Sequence, residues 1–409
     1  MRIGIFSDTY PPYINGVSTS IVMLKNALEK MGHQVFIVTV NPDKINYKFE
    51  DDNKIIRLPG IPTGIYDYRL TGIYPFKAIN KIRKWNLDII HTQTEFGVGT
   101  FARVMAKQYD IPLVHTYHTM YEDYTKYITK GFLDKPAKKI VQYLTDFYCD
   151  KTVSELIVPT GKTYRLFKNK YKYDRDIHII PTGIEIEKFY VEKQNQKHLD
   201  EIRKKHGFNK KDFIILFIGR IGYEKGIDLL IDAQKNIVKN YPNCKLLIVG
   251  SGPDELKLAK LAEKHKIKEN VIFTGKVPWE EVPKYYNIAD VFATASLTET
   301  QGLTVIEALA AGTPVVAIKD DCFLDAVTHD QNGYIFKTKR EYHKLIESLL
   351  SDKEKLKQLS RQARISSEKF SSVYFGKSVI EVYRKAMKQI DEPKTFLDKV
   401  KNIWKRKKS

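Results

Sequence analysis

Apolar residues along the chain fall into two recurring arrangements. Short runs such as "RIGIF" (2–6) and "QVFIVTV" (34–40) are apolar almost throughout and end in turn residues, as strands covered on both faces do. Between them, "VSTSIVMLKNALEKMG" (17–32) places Val17, Ile21, Leu24 and Leu28 at helical spacing, and Gly32 stops the helix. The joining segment, "SDTYPPYING", is rich in turn residues. The same order returns at residue 213, where "FIILFIG" leads through "RIGYEKG" into the helical "IDLLIDAQKNIVKNY" and then "CKLLIVGSG". Further strands are expected at 87–92, 111–116, 271–275, 289–295 and 313–318. Two such βαβ openings predict an α/β protein of two Rossmann-like, doubly wound parallel-sheet domains facing a central cleft.

The expected division is residues 1–185, then 186–368, then a helix over 369–392 returning to the first domain, then a basic tail over 393–409. A length of 409 residues suits more than one domain. No run approaches the roughly 18 apolar residues of a membrane-spanning helix. The opening "MRIGIFSDTYPP" reads as a first strand rather than a signal peptide. Cys149, Cys244 and Cys322 have no metal-like spacing and suit a reducing cytoplasm. A net charge of +19 favours anionic partners: nucleic acid, acidic lipid or phosphorylated substrates.

Three loops at predicted strand ends carry candidate chemistry. In "GRIGYEKG" (219–226), Arg220 offers a planar fork of donors and Lys225 a compact charge, both suited to phosphate. A solvated basic loop would read the same. In "ETQGLTVIEALAAG" (299–312), a turn at Gly302 opens a helix whose free N–H groups can seat a diphosphate. Glu299 and Glu307 flank that helix mouth, where a carboxylate can accept from sugar or ribose hydroxyls, or simply complement the helix dipole. In "FTGKVPWEEV" (273–282), the turn at Gly275 and Lys276 could receive a nucleotide base.

Together with the "PPYINGV" loop and the "EALAAGTPVVA" helix and strand, these motifs resemble the retaining glycosyltransferases of family 4, which have the GT-B fold. The resemblance covers nearly the whole chain. It implies that Arg220 and Lys225 hold the donor diphosphate, Glu307 the ribose and Glu299 the sugar hydroxyls near the reacting carbon. Amides of Gly302, Leu303 and Thr304 would face the phosphates or sugar. Gly16 would approach the phosphate closely; many members carry two glycines there, and Asn15 replaces the first. His118, in "HTYHTMYEDYTKYITKGF" (115–132), would contact the donor sugar and, with Glu299, carry the transfer. Two carboxylates also occur in glycosidases, but a glycosidase needs no basic diphosphate loop. The enzyme would mainly position reactants and stabilise charge on the leaving diphosphate. No cofactor is expected beyond the nucleotide-sugar co-substrate, and no metal, since the chain is read as showing no carboxylate pair of the Asp-X-Asp kind to hold one.

Two stretches point to a membrane. Lys126, Lys130, Lys135, Lys138 and Lys139 alternate with Tyr127, Ile128, Phe132 and Leu133. The tail "KTFLDKVKNIWKRKKS" carries +6 over sixteen residues, with Phe396, Leu397, Val400, Ile403 and Trp404 on one helical stripe. Each basic residue near an anionic leaflet adds about 1 kcal/mol.

More narrowly, "HTQTEFGVGTFARVMAKQYDIPLVHTYHTMYEDY" with "TETQGLT" resembles bacterial diacylglycerol glucosyltransferases. That resemblance implies transfer of glucose from UDP-glucose to diacylglycerol at the inner face of the cell membrane. The product would be a glycolipid able to anchor lipoteichoic acid. Anionic lipids would then be partners and nucleic acid would not. Rival readings are a family 4 enzyme acting on a soluble or already glycosylated acceptor, a nucleic-acid-binding protein, and a sugar-nucleotide epimerase. No recognised helical reader, aromatic RNA platform or zinc finger supports the second of these.

Overall fold

A computed structural model describes residues 1–13, 15–62, 69–72, 75–95, 97–118, 148–149, 152–297, 299 and 301–391. Its helices are α1 (Gly16–Lys30), α2 (Phe76–Lys84), α3 (Gly97–Gln108), α4 (Gly161–Arg165), α5 (Gln196–Lys205), α6 (Ile227–Asn240), α7 (Glu255–Lys264), α8 (Val282–Ile288), α9 (Leu303–Ala310), α10 (Lys339–Ser351), α11 (Lys353–Ser366) and α12 (Ser372–Asp391). The chain divides into two units: Met1–Gly183 with the chain from Phe375 onward, and Ile184–Tyr374.

In unit 1, β1 (Arg2–Phe6), β2 (Gln34–Val40), β3 (Lys48–Glu50) and β4 (Ile55–Leu58) precede a short antiparallel ribbon of β5 (Ile61–Pro62) and β6 (Arg69–Leu70). Then come β7 (Ile89–Thr92), β8 (Leu113–Thr116), β9 (Glu155–Val158) and β10 (Ile177–Ile179). The main sheet runs β10-β9-β8-β7-β1-β2-β4-β3, parallel except where β3 meets β4. Side chains alternate between two cores, as the strand period of two requires. Ile3, Ile5, Val35 and Ile37 pack with Leu24 and Leu28 of α1 and with Val379 and Tyr383 of α12. Phe6, Phe36 and Val38 pack on the other face with Ile79 and Ile82 of α2 and Phe101 of α3. Burying each such side chain stabilises by about 1.5–3 kcal/mol, which is why these strands are apolar throughout.

Unit 2 repeats the plan. Strands β11 (Phe213–Ile218), β12 (Cys244–Val249), β13 (Val271–Phe273), β14 (Val291–Thr294), β15 (Val315–Ile318) and β16 (Gly333–Phe336) form a parallel sheet in the order β13-β12-β11-β14-β15-β16. Ile214, Leu216, Phe292 and Val315 face α5, α8 and α9, while Ile215, Phe217, Val291 and Val316 face α6, α7 and α10.

Candidate active site

Each sheet has a switch point at which the order of its parallel strands reverses. In unit 2 the reversal falls between β11 and β14, and in unit 1 between β1 and β7. Ligands of open α/β sheets bind beyond the carboxyl ends of strands at such points. The candidate residues lie on the loops that leave them.

In unit 2, β11 runs into Gly219 and Arg220, a single helical turn over Tyr223–Lys225, and Gly226 at φ +61°. A Cβ on Gly226 would lie 2.6 Å from the carbonyl oxygen of Ala295, so only glycine lets this loop pass the end of β14 so closely. That approach brings Lys225 against Glu299: its Nζ donates to Glu299 Oε1, which also accepts from Ser296 Oγ at 3.1 Å. Arg220 Nη2 meets Glu224 Oε1 at 2.5 Å, with the arginine side chain 56% exposed. Loop geometry therefore places two cations and two carboxylates together at the sheet's switch point.

Helix α9 begins beside them. Gly302, at φ +73°, occupies its N-cap without a side-chain hydrogen bond, leaving the first-turn amides to meet an anion. A Cβ there would come within 2.7 Å of the Phe323 ring. Glu307 is buried one turn in, and its Oε2 accepts from Tyr286 Oη at 2.7 Å. Burial pushes its carboxyl up to about 7, against the opposing pull of the tyrosine hydrogen bond. Leu303 and Thr304 are half-buried, Gly275 takes φ +71°, and Lys276 is exposed on the loop after β13.

Unit 1 is built differently. Asn15 caps α1, its Oδ1 accepting from Ser18 N at 2.8 Å while its Nδ2 donates to Thr9 Oγ1 at 2.9 Å. Its side chain is thus spent on helix capping, a commitment the first-loop motif alone did not reveal. Gly16 opens the helix with no heavy atom within 4 Å of where a Cβ would sit. Asp8, just past β1, accepts from Val98 N at 2.9 Å and Thr94 Oγ1 at 2.6 Å, locking the β1 loop to the start of α3. Burial raises its carboxyl above the ordinary range.

His118 lies two residues beyond β8, half-buried, with Nε2 2.6 Å from Gln93 Oε1. Burial and the nearby His115 bring its imidazole down to about 4, so it is neutral at pH 7. His115 in turn lies 3.2 Å from Glu95 Oε1 and 3.1 Å from the Thr92 carbonyl. Glu95, His115 and Cys149 bring potential metal-ligating atoms within 4.8 Å of one another. The buried guanidinium of Arg103 interacts electrostatically with both Glu95 and Cys149 and supplies positive charge to that cluster.

Lys126, Lys130, Phe132, Lys138, Lys139 and Trp404, the residues expected at the membrane and acceptor, lie outside the described residues. So does the basic tail. Among the described residues, no helix is long and apolar enough to cross a membrane. An Asp-X-Asp triplet does occur, at Asp174–Arg175–Asp176 ahead of β10. Asp176 pairs with Lys385 at 2.9 Å, and Arg175 donates to the carbonyls of Val153 and Ser154, so both are engaged in structural contacts. Sequence reading missed Gln93, Tyr286 and Ser296. Gln93 follows a strand end directly, a position that could have marked it, whereas Tyr286 reads as any core aromatic.

Comparison with known proteins divides the chain at the same scale. Residues 14–188 match the family model described as Glycosyltransferase Family 4, and residues 199–366 match that of Glycosyl transferases group 1. The alpha-monoglucosyldiacylglycerol synthase of Acholeplasma laidlawii is 39% identical over 389 residues, covering 94% of this chain and 96% of that protein. The synthase of the same name from Streptococcus pneumoniae is 42% identical over 318 residues, covering 78% and 71%. Among solved structures, HepE of Anabaena in complex with UDP superposes with a TM-score of 0.70 at 17% identity, over 94% of this chain and 100% of that one.

Proposed function

The chain belongs to the family 4 glycosyltransferases and is a nucleotide-sugar-dependent hexosyltransferase; on that premise we propose that it moves glucose from UDP-glucose to the free hydroxyl of diacylglycerol, with retention of configuration. The observation that carries this reading is the 39% identity with a monoglucosyldiacylglycerol synthase across 94% of this chain and 96% of that protein. The strand-end geometry supports it. Arg220 and Lys225 take the diphosphate, releasing Glu224 and Glu299 from their present ion pairs. Freed of Lys225, the Glu299 carboxylate accepts from hydroxyls of the hexose. Glu307 accepts from the ribose, and the α9 amides at Gly302, Leu303 and Thr304 complete the anion seat.

His118 meets a hydroxyl of the transferred hexose. The acceptor oxygen attacks the anomeric carbon as the bond to the diphosphate breaks. The leaving phosphate oxygen takes the acceptor's proton, so the protein positions reactants and offsets charge rather than serving as a general base. Positive charge from Arg220 and Lys225 serves that purpose without a metal. Work at the inner membrane face suits the net charge of +19, with anionic lipids drawing the enzyme to its acceptor.

The test offers a panel of labelled UDP- and GDP-hexoses to purified protein with vesicles of diacylglycerol and anionic lipid. The reading expects label in an α-linked glucosyl diacylglycerol from UDP-glucose, lost on Glu299→Ala. Label appearing only with soluble sugars or preformed glycolipids as acceptors would reject diacylglycerol.

A further inference from the structure

Behind His118 runs a buried chain of polar groups that the donor chemistry leaves unexplained. His118 Nε2 lies 2.6 Å from Gln93 Oε1, and Gln93 Nε2 lies 3.0 Å from His91 Nε2. His91 Nδ1 lies 2.7 Å from Tyr383 Oη on α12, while its Nε2 also receives Thr116 Oγ1 at 2.7 Å. His91, Gln93 and Tyr383 are all buried, at 0%, 2% and 0% exposure. Desolvation holds the His91 ring far below its ordinary pKa, hence neutral. A neutral imidazole has one N–H and one lone pair, and an amide has one accepting and one donating end. The roles along the chain are therefore linked: fixing one fixes all.

We propose that Gln93, His91 and Tyr383 are positioning residues that lock His118 as its Nε2–H tautomer, leaving Nδ1 as a hydrogen-bond acceptor for a hydroxyl of the transferred hexose. In this arrangement His118 Nε2–H donates to Gln93 Oε1, the Gln93 amide donates to His91 Nε2, and His91 Nδ1–H donates to Tyr383 Oη. This direction goes with Gln93 Oε1 turned toward His118 and its Nε2 toward His91. The opposite direction, with Tyr383 donating and the amide turned over, would leave His118 with its proton on Nδ1. The charged and titratable groups facing His118 are His115 and Glu95. They set its charge, whereas the amide sets its tautomer. The proposal rests on the reading that His118 meets the hexose, and its test separates the two.

The full-length protein is labelled with ¹⁵N-histidine, and the His118 signal is assigned by its loss in His118→Gln. The ring's tautomer is then read from nitrogen shifts near neutral pH in wild type, Gln93→Ala, Gln93→Glu and Tyr383→Phe. Transfer kinetics and UDP affinity are measured on the same samples, UDP affinity reporting that the fold is intact. The expected result is a single Nε2–H tautomer in wild type that becomes mixed in Gln93→Ala, with kcat down about tenfold and UDP affinity unchanged. Gln93→Glu, which keeps the accepting oxygen, restores the Nε2–H form. Tyr383→Phe leaves its ring packing intact and loosens the tautomer. An Nδ1–H tautomer in wild type, or one indifferent to Gln93, overturns the proposal. A tautomer that changes in Gln93→Ala while kcat does not would keep the relay and reject the assignment of His118 to the hexose.

Discussion

At the strand ends of unit 2, the candidate groups are charged and hold one another: Lys225 with Glu299, Arg220 with Glu224. In unit 1, the groups that hold His118 form a neutral, hydrogen-bonded chain through Gln93 and His91 to Tyr383. The same α/β plan thus carries two kinds of site. Paired charges suit a ligand that is itself charged, because an incoming diphosphate replaces the carboxylates as partner of the cations. A neutral chain suits a hydroxyl, which needs an acceptor of fixed direction and gains little from net charge. On the proposed reading, donor affinity belongs to the charged groups of unit 2 and orientation of the sugar to the neutral chain of unit 1.

The largest effect should come from the charged side. Lys225→Ala is expected to lower transfer by about a thousandfold and to weaken UDP binding strongly, as removal of a preorganised charge partner does. Lys225→Arg should recover only part of this, since a guanidinium fork does not replace a point charge. Steady-state kinetics with isothermal titration of UDP checks both, and near-normal UDP affinity in Lys225→Ala would break the contrast.

Next comes Glu307. Its folded pKa of about 7 lies above the ordinary 4.5, so the folded state holds a proton that the unfolded state gives up. The stability from this group is fully present below about pH 4.5 and is lost as pH rises through about 7. The difference is on the order of 3 kcal/mol. Glu307→Gln should flatten that part of the stability curve. Ribose hydroxyls donate best to the ionised carboxylate, so UDP affinity should rise as pH passes 7 in wild type and stay level in Glu307→Gln. Parallel pH curves for the two proteins would count against the ribose role.

Smaller again is His118→Ala, expected to reduce kcat by roughly ten- to a hundredfold while UDP, which lacks the hexose, binds as before. The smallest effect is structural: Asn15→Ala should cost about 1 kcal/mol through loss of the α1 cap, read from denaturant unfolding. Unchanged stability would show that the Asn15–Ser18 bond carries no net weight.

The contrast also explains what could be read from the sequence alone. The parallel sheets were legible because strands such as Arg2–Phe6 and Phe213–Ile218 must be apolar on both faces, and turn residues bound them. The charged candidate groups could be picked out for a related reason. Arg220, Lys225, Glu299 and Glu307 sit on loops that leave strand ends or within the helix that follows, and their types advertise phosphate and hydroxyl chemistry. The neutral chain could not. Gln93, His91 and Tyr383 are 292 positions apart at the extreme, from His91 to Tyr383, and meet only because α12 packs on the unit 1 sheet. A tyrosine at helical spacing among Val379, Ile380 and Ala386 looks like core, which it also is. Tyr286 against Glu307 was hidden in the same way. Local pattern reveals groups that face a ligand; it does not reveal the groups behind them, whose meaning comes from tertiary contact.

The division of labour between the two units is tested most directly by titrating UDP into wild type, Lys225→Ala, His118→Ala and Gln93→Ala and measuring transfer on the same preparations. UDP binding is expected to be lost only in Lys225→Ala, while transfer falls in all three variants. UDP binding that survives in Lys225→Ala, or that disappears with His118→Ala, would contradict that division.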